Sequence, residues 1–580
     1  MKKQKSQSSL TTNQDEKNYF TNPFTSIRNN KSAFFVMLAT FVSLLIITFF
    51  DVATRETVAS FALSEYQIGQ ISDKTIIAEK SLPATEYDPI QITKDEKIIR
   101  KGFPITEENY AKLRKIAEAP TYIDFRALAN SFLYLFLLIV LTVFLFSPRM
   151  LGREIKIKEM VFIAALYIVV YGVTTFATKV PAFLSQFSLT TIIPATFATI
   201  LITVLFGQVS AVFFSILIAL GVLFIASFQP IPCLFVLCSS IASAKIVCKT
   251  EKRIDLVFAS LILSILNIIF LFALSIIVND DVEFNGFVLF GVALNAFISG
   301  IFALGFLTPL ESLLNTASVF RLMDLSDTNA PILKRLFITA PGTYTHSMMV
   351  ATLAESACNE IGANALLARV GSYYHDIGKL EQPEYFVENQ TEGNKHDDIN
   401  PSLSVSVIKS HVKKGVEKAK QLRLPQEVED IIAEHHGNSV IKYFYYKAKQ
   451  QDEGESPEEY TYSYTGDSPS SKEAAVVMLA DTIEAACRTL QKPSVPRLEK
   501  FIRELIMDKV ENHLLDKCQL KFCDLDAIQD AFVKVLAAHY HSRIEYPNQK
   551  NNDEESAENE TKDSIKNSGS NSSNSKKEAK

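Results

Sequence analysis

The sequence has little net charge and few cysteines, and each shortage excludes a class of protein. Its 580 residues carry a formal net charge of only −6, so the total charge gives no indication of a DNA or RNA polymer as a partner. Only seven residues are cysteine, and none of them falls in residues 51–127, the one sizeable segment that we place outside the membrane. We therefore expect no disulfide framework.

Hydrophobic residues, by contrast, are abundant. They make up 48% of the chain and the mean hydropathy is positive, which indicates a polytopic membrane protein that carries a soluble part. Residues 1–32 are polar and rich in basic side chains, and residues 548–580 are mostly Asn, Ser, Glu and Lys. Both segments are predicted to be disordered tails, the first of them cytoplasmic.

The apolar runs predict eight membrane spans. Residues 33–50 are predicted to be a retained first transmembrane helix, because a long polar segment precedes them and no plain cleavage site follows. Residues 51–127 are predicted to form a small mixed α/β extracytoplasmic domain, with strand-like alternation over 72–93 and an amphipathic helix over 106–117. A bundle of seven spans is predicted within 128–308, at 128–147, 159–178, 189–207, 208–228, 231–247, 256–278 and 284–308.

Charges in the loops favour this count. The loops 148–158 and 245–255 each carry four basic residues, whereas 279–283 has three acidic residues and no basic one. With a cytoplasmic N-terminus, eight spans place both basic loops inside and the acidic loop outside. The chain is thus predicted to be a multi-pass protein of the cytoplasmic membrane with residues 309–547 in the cytoplasm, and the weakest predicted span is the short, proline-containing 231–247.

Residues 309–547 have helical periodicity and contain an ordered set of histidines and aspartates. An imidazole next to a carboxylate, as in His375-Asp376, suits a divalent cation and is costly in an apolar core. A single pair of this kind often occurs by chance, but a whole set buried without partners would be strongly destabilising. The candidate metal ligands are His346, His375, Asp376, His411, His435, His436 and Asp481.

This set of residues suits phosphoester hydrolysis. Two metal ions a few ångströms apart can activate water, neutralise the nonbridging oxygens and stabilise the leaving alkoxide. Asp376 is the predicted bridge between the two ions, and imidazole and carboxylate ligands suit iron or manganese equally. Lys379, one helical turn beyond His375, is predicted to stabilise charge on the phosphate; a solvated position on the helix surface is the alternative.

Four motifs together resemble those of one family. They are Pro-Gly-Thr-Tyr-Thr-His-Ser, Tyr-Tyr-His-Asp-Ile-Gly-Lys, Glu-His-His-Gly-Asn and Ala-Asp-Thr-Ile-Glu-Ala-Ala, and they follow a block of membrane helices. The combination resembles the seven-transmembrane HD receptors of the PgpH type, within the HD superfamily of metal-dependent phosphohydrolases. The expected fold is an all-α polytopic membrane protein with an all-α cytoplasmic HD domain over 309–547 and a small mixed α/β extracytoplasmic segment.

The resemblance implies hydrolysis of cyclic-di-AMP to pApA and a ligand-sensing role for the external segment. It also implies roles for the candidate residues. One metal site would use His346, His375 and Asp481, and the other would use His411 and His435. His436 would be a further ligand or a phosphate contact. Independently of the resemblance, the alternating Tyr462 and Tyr464 are candidates for stacking on the bases, with packing inside their loop as the alternative.

Two departures from the family leave alternatives open. The external segment is shorter than is usual in the family, and the loop at 462–469 is less aromatic and less rich in proline. An HD phosphohydrolase for another nucleotide, such as cyclic-di-GMP or an alarmone, is therefore an alternative. A receptor that binds a nucleotide without cleaving it is another, although such a protein would normally lack one of the ligands. The sequence gives neither the oligomeric state nor the external ligand.

Overall fold

The computed structural model describes residues 31–54, 63, 66–78, 81–84, 89–118, 125–278, 286–391, 393–451, 458–490 and 494–541. The predicted disordered tails lie outside these residues, except that the first helix already begins at Lys31. The acidic loop 279–283 also lies outside them. The chain divides into two units, here called the membrane unit (Met1–Leu314 with Ser318–Phe320) and the helical unit (Asn315–Ala317 with Arg321–Lys580).

The membrane unit consists mainly of long apolar helices. Among the described residues, seven helices are long and apolar enough to cross a bilayer. The helices of this unit are α1 (Lys31–Thr54), α2 (Glu107–Glu118), α3 (Phe125–Leu145), α4 (Ile157–Ala177), α5 (Ala195–Phe206), α6 (Gln208–Ile225), α7 (Pro230–Val247), α8 (Arg253–Val278) and α9 (Gly286–Leu314), with short turns at Pro148–Leu151, Pro181–Phe183 and Gln186–Leu189.

One of the eight predicted spans, 189–207, corresponds to a shorter helix than the others. That stretch contains only α5, which has 12 residues and begins after Pro194, because proline removes a backbone donor and ends the preceding turn. The span predicted to be weakest, 231–247, is an uninterrupted helix, α7. Its prolines lie in the first turn, where the missing N–H groups have no partner within a helix anyway. The Ser239 hydroxyl within α7 is buried and bonded to Thr196 of α5 at 3.0 Å.

The segment between the first two long helices contains fewer strands than predicted. Two short strands, β1 (Ile76–Ile77) and β2 (Lys97–Ile99), pair antiparallel, so that a mixed α/β domain is not confirmed. The predicted helix over 106–117 is present as α2, and its apolar face packs on a small core that includes Ile76, Ile99 and Leu113. The described residues of 72–93 otherwise form bridges and turns.

The helical unit, as predicted, is built from helices in the described residues. They are α10 (Val319–Leu325), α11 (Pro331–Thr339), α12 (Pro341–Glu360), α13 (Ala365–Tyr374), α14 (Pro401–Gln421), α15 (Gln426–Glu434), α16 (Lys442–Gln451), α17 (Lys472–Cys487), α18 (Val495–Glu511) and α19 (Phe522–His541), with 3₁₀ turns at Ile377–Glu381, Pro383–Tyr385, Val387–Asn389 and Glu459–Tyr462.

Helix α17 is the centre of this unit. Every residue from Ala474 to Asp481 is buried, which is the pattern of a helix surrounded by others on all sides. The turn after α13 approaches α14 with backbone against backbone: a Cβ on Gly378 would lie 1.9 Å from the carbonyl oxygen of His411. Glycine at 378 therefore allows the chain segment that carries His375-Asp376 to reach the helix that carries His411.

Candidate metal centre

The candidate ligands come from five helices and converge in the helical unit. His346 lies in α12, His411 in α14 and Asp481 in α17. His375 follows the last residue of α13, and His435 follows the last residue of α15. The donor atoms form two compact groups, in each of which they lie within 4.8 Å of one another: His346, His375 and Asp376 in one, and His411, His435 and His436 in the other.

Asp376 lies between the two groups. Its Oδ2 atom is 3.2 Å from His375 Nε2 and 3.7 Å from His346 Nε2. Its Oδ1 atom faces the opposite way, 3.4 Å from His411 Nε2 and 3.9 Å from His435 Nε2. One carboxylate thus presents one oxygen to each histidine group, which is the geometry expected of a bridging ligand.

Asp481 also contacts both groups. Its Oδ1 atom is 2.9 Å from His346 Nε2, and its Oδ2 atom is 3.5 Å from His436 Nδ1. All seven residues predicted to be metal ligands are therefore close together, although they are spread over more than a hundred positions of the chain.

Three of the histidines are oriented by their own helices. The Nδ1 atoms of His375, His411 and His435 bond the backbone carbonyls of Ser372, Ile408 and Ile432, at 2.7, 2.6 and 2.8 Å. A carbonyl only accepts hydrogen bonds, so each Nδ1 carries a proton and donates it. The Nε2 atoms face Asp376 at 3.2 to 3.9 Å. They are the atoms that would bind a metal, since a metal-binding imidazole usually donates its other N–H to a partner of this kind.

His346 is oriented by a residue that the sequence reasoning missed. Its Nδ1 atom bonds the carboxylate of Glu484, which also accepts a hydrogen bond from Arg488 Nε at 2.6 Å. Glu484 lies three positions after Asp481 on the same helix, and residues at this spacing share one face. That spacing is the signal in the sequence that could have identified it.

The centre has the unmet bonding capacity that a cation needs. His375 Nε2 and Asp376 Oδ1 are buried and have no hydrogen-bond partner within the described part of the chain. A polar atom left in this condition costs on the order of 1–3 kcal/mol. Divalent cations would satisfy both atoms, and the donor set of imidazoles and carboxylates fits them.

The electrostatics of the centre also favour cation binding. Burial lowers the pKa of His411 to about 4 and that of His435 to about 3, so these imidazoles are neutral at physiological pH. Burial opposes charge on Asp376 and Asp481 as well, but neighbouring histidines, and Lys379 beside Asp376, hold the pKa of each carboxyl well below its usual value. Burial opposes charge on His375 too, but Asp376 and Asp481 raise its pKa to about 10, so a metal would replace a proton at this residue. Ionised carboxylates and neutral imidazoles are the states in which such groups ligate a metal.

The residues predicted to contact substrate lie in different places. Lys379 Nζ is 2.8 Å from Asp376 Oδ2, with only 12% of its side chain exposed, so it is not a solvated surface residue. The Tyr464 ring stacks on His436 with centroids 4.2 Å apart. Tyr462 is buried in a separate hydrophobic cluster with Val405 and Phe444, a position that fits packing inside the loop.

Comparison with known proteins extends these findings. The model of the HD domain matches residues 343–486, and that of the 7TM receptor with intracellular HD hydrolase matches residues 127–318. The chain is 32% identical to the cyclic-di-AMP phosphodiesterase PgpH of Bacillus subtilis over 487 residues, which cover 82% of this chain and 68% of that protein. The chain belongs to this family of seven-transmembrane HD proteins. The resemblance predicted from the motifs is confirmed.

The chain is similar to a second PgpH protein as well. PgpH of Listeria monocytogenes is 31% identical over 483 residues, which cover 82% of this chain and 66% of that protein. The crystal structure of the HD domain of the Listeria protein is 42% identical, covers 37% of this chain and all of that domain, and has a TM-score of 0.35. HD domains are metal-dependent, in agreement with the residues that meet at Asp376.

We expect Glu484→Ala to weaken the binding of divalent metal by about 10- to 100-fold, because His346 would lose the partner that orients its ring. The change is measured by titrating the purified full-length protein with Mn²⁺. Glu355→Ala is the matched control, because it also removes a carboxylate from an ion pair, with Arg369 at 2.9 Å. Equal affinities for the two variants would contradict the role of Glu484.

Proposed function

We propose that this chain is a membrane-bound, metal-dependent phosphodiesterase that hydrolyses cyclic-di-AMP to pApA. The observation that carries the proposal is the buried carboxylate of Asp376, with one oxygen towards each of two histidine groups. The choice of substrate is supported by two family members, both named cyclic-di-AMP phosphodiesterases and 31–32% identical over 82% of the chain. All predicted ligand residues are present, so nothing favours a receptor that binds without cleaving.

In this proposal the centre would hold two ions, iron or manganese, with Asp376 as a shared ligand. His346, His375 and Asp481 would hold one ion, and His411, His435 and His436 would hold the other. Bound ions of this kind polarise the phosphoryl group and lower the pKa of water. The chain's own contribution is to fix the ligand atoms before substrate arrives, which removes the cost of reorganising them during the reaction.

The proposed entry for substrate is on the side of His436. The side chain of His436 is 22% exposed, whereas those of His375, Asp376, His411 and His435 are at most 2% exposed. The Tyr464 ring next to His436 offers an aromatic face to an adenine base. The Lys379 ammonium lies 2.8 Å from Asp376 Oδ2, and in this proposal it would contact a nonbridging oxygen of the phosphate. A dinucleotide bound between these residues would present its phosphodiester to the centre.

We propose the same topology as the sequence predicted, with the HD domain in the cytoplasm. The match to the seven-transmembrane model covers residues 127–318, and this range contains six long helices and the short α5, which together make seven. The helix α1 adds the eighth span. Helix α5 and the turn at Gln186–Leu189 would then cross as one interrupted span, and residues 51–127 would lie outside the cytoplasm as a ligand-sensing segment.

Purified full-length protein with Mn²⁺ is expected to convert cyclic-di-AMP to pApA, as followed by chromatography of the products. Asp376→Ala should lower turnover by more than about 100-fold, since the loss of a shared ligand costs more than the loss of a residue that only orients one. His513→Ala, at a histidine whose side chain is 81% exposed, is the matched control. Full activity of Asp376→Ala, or faster cleavage of cyclic-di-GMP, would contradict the proposal.

Reporter fusions test the topology. A green fluorescent protein fused after Pro547 should fluoresce and an alkaline phosphatase fused there should be inactive, because the eight spans return the chain to the cytoplasm. The same reporters fused after Ser60, beyond α1 alone, should give the opposite result. An alkaline phosphatase that is active after Pro547 would place the HD domain outside the cytoplasm and would contradict this topology.

A further inference from the structure

Next to the metal centre, three charged side chains form a buried row. The Lys379 ammonium lies between two carboxylates, 2.8 Å from Asp376 Oδ2 and 2.9 Å from Glu388 Oε1. The side chains of Asp376, Lys379 and Glu388 are 2%, 12% and 12% exposed, so water screens these charges little. The Lys379 ammonium also lies over the ring of Phe386, 4.8 Å from its centroid. The sequence analysis did not single out Glu388.

Glu388 is held firmly in this row. Its Oε1 atom accepts a hydrogen bond from the Thr343 hydroxyl at 3.0 Å. The neighbouring Asn389 bonds the same threonine twice, accepting from its backbone N–H at 3.1 Å and donating to its hydroxyl at 2.8 Å. A Cβ on Gly342 would lie 1.9 Å from the carbonyl oxygen of Glu388. The turn Val387–Asn389 is therefore fixed on the first turn of α12, the helix that carries His346.

The position of Glu388 matters because Asp376 Oδ2 would interact with two kinds of cation, the Lys379 ammonium and a divalent ion. It contacts the Lys379 ammonium, and it also faces His346 and His375, which are proposed ligands of that ion. An ammonium paired with Asp376 alone would neutralise that carboxylate and compete with a divalent ion for it. With Glu388 as a second partner, the row keeps a net charge of −1 and the attraction of Lys379 is divided between two carboxylates.

We propose that Glu388 is a positioning residue that shares the Lys379 ammonium with Asp376 and thereby keeps Asp376 available to divalent cations. The proposal rests on the metal centre of the proposed function. It explains why a lysine can lie within bonding distance of a metal ligand without displacing the metal. It also gives Glu388 an effect on the metal that passes through Lys379 and requires no direct contact.

The test is a double-mutant cycle read out as Mn²⁺ affinity of the full-length protein, measured by calorimetry without substrate. Glu388→Gln keeps the shape of the side chain and removes its charge, and it should weaken Mn²⁺ binding by about 10-fold. In a Lys379→Met background the same change should alter the affinity by less than about 2-fold, because the competing ammonium is already absent. Glu381→Gln is the matched control, since Glu381 pairs with Lys418 at a half-exposed position, and it should leave the affinity unchanged.

Two results would overturn the proposal. One is an unchanged affinity in Glu388→Gln. The other is an equal loss of Mn²⁺ affinity with and without Lys379, which would mean that the charge of Glu388 acts on the ion directly and not through Lys379. Thr343→Val provides a second variant if Glu388→Gln does not fold, because it removes one support of Glu388 and should weaken binding by about 2- to 5-fold only when Lys379 is present. If the proposed metal centre itself is wrong, the wild-type protein will bind no Mn²⁺. That result is distinct from both outcomes above, in which the wild type binds Mn²⁺.

Discussion

The burial of one carboxylate between two groups of imidazoles is the constraint on which the helical unit depends. Asp376 is 1% exposed, and an ionised group at this depth is strongly destabilising unless opposite charge or hydrogen-bond donors surround it. Its partners come from α12, from α14, from the residues that directly follow α13 and α15, and from the 3₁₀ turn that carries Lys379. The packing of these elements therefore sets the geometry of the centre. Gly378 contributes by letting the backbone next to Asp376 touch α14, and Gly371 does the same for α13 against Ile431 of α15.

The ligands are oriented largely by their own helices. His375, His411 and His435 each bond a carbonyl three residues earlier, so these three rings need no other side chain to hold them. His346 and Lys379 do need side chains, and Glu484 and Glu388 supply them. The two glutamates thus take part in the centre without being candidate ligands, and the charge of the site is balanced over a wider region than the metal-binding motifs cover.

The sequence predicted which side chains meet at Asp376, and it predicted the details of the membrane unit less well. The candidate ligands could be identified because each lies in a short local motif, and so many buried imidazoles and carboxylates would be strongly destabilising without partners. Glu388 could not, since its contacts with Lys379 and Thr343 depend on how a 3₁₀ turn meets α12. Hydropathy identified 189–207 as apolar, but hydropathy alone does not show that the helix in this stretch begins only after Pro194. Within 72–93, alternation predicted strands, but the described residues there form one short strand, β1, with a partner of only three residues.

The claim that Asp376 joins two cations is tested most directly by counting them. Metal analysis of the purified full-length protein by inductively coupled plasma mass spectrometry, with the protein concentration measured on the same sample, gives the number of ions per chain. The account predicts about two divalent transition-metal ions per chain in the wild type and a clear loss in Asp376→Asn. A hydrolytically active wild type with no bound divalent metal, or an unchanged count in Asp376→Asn, would contradict it.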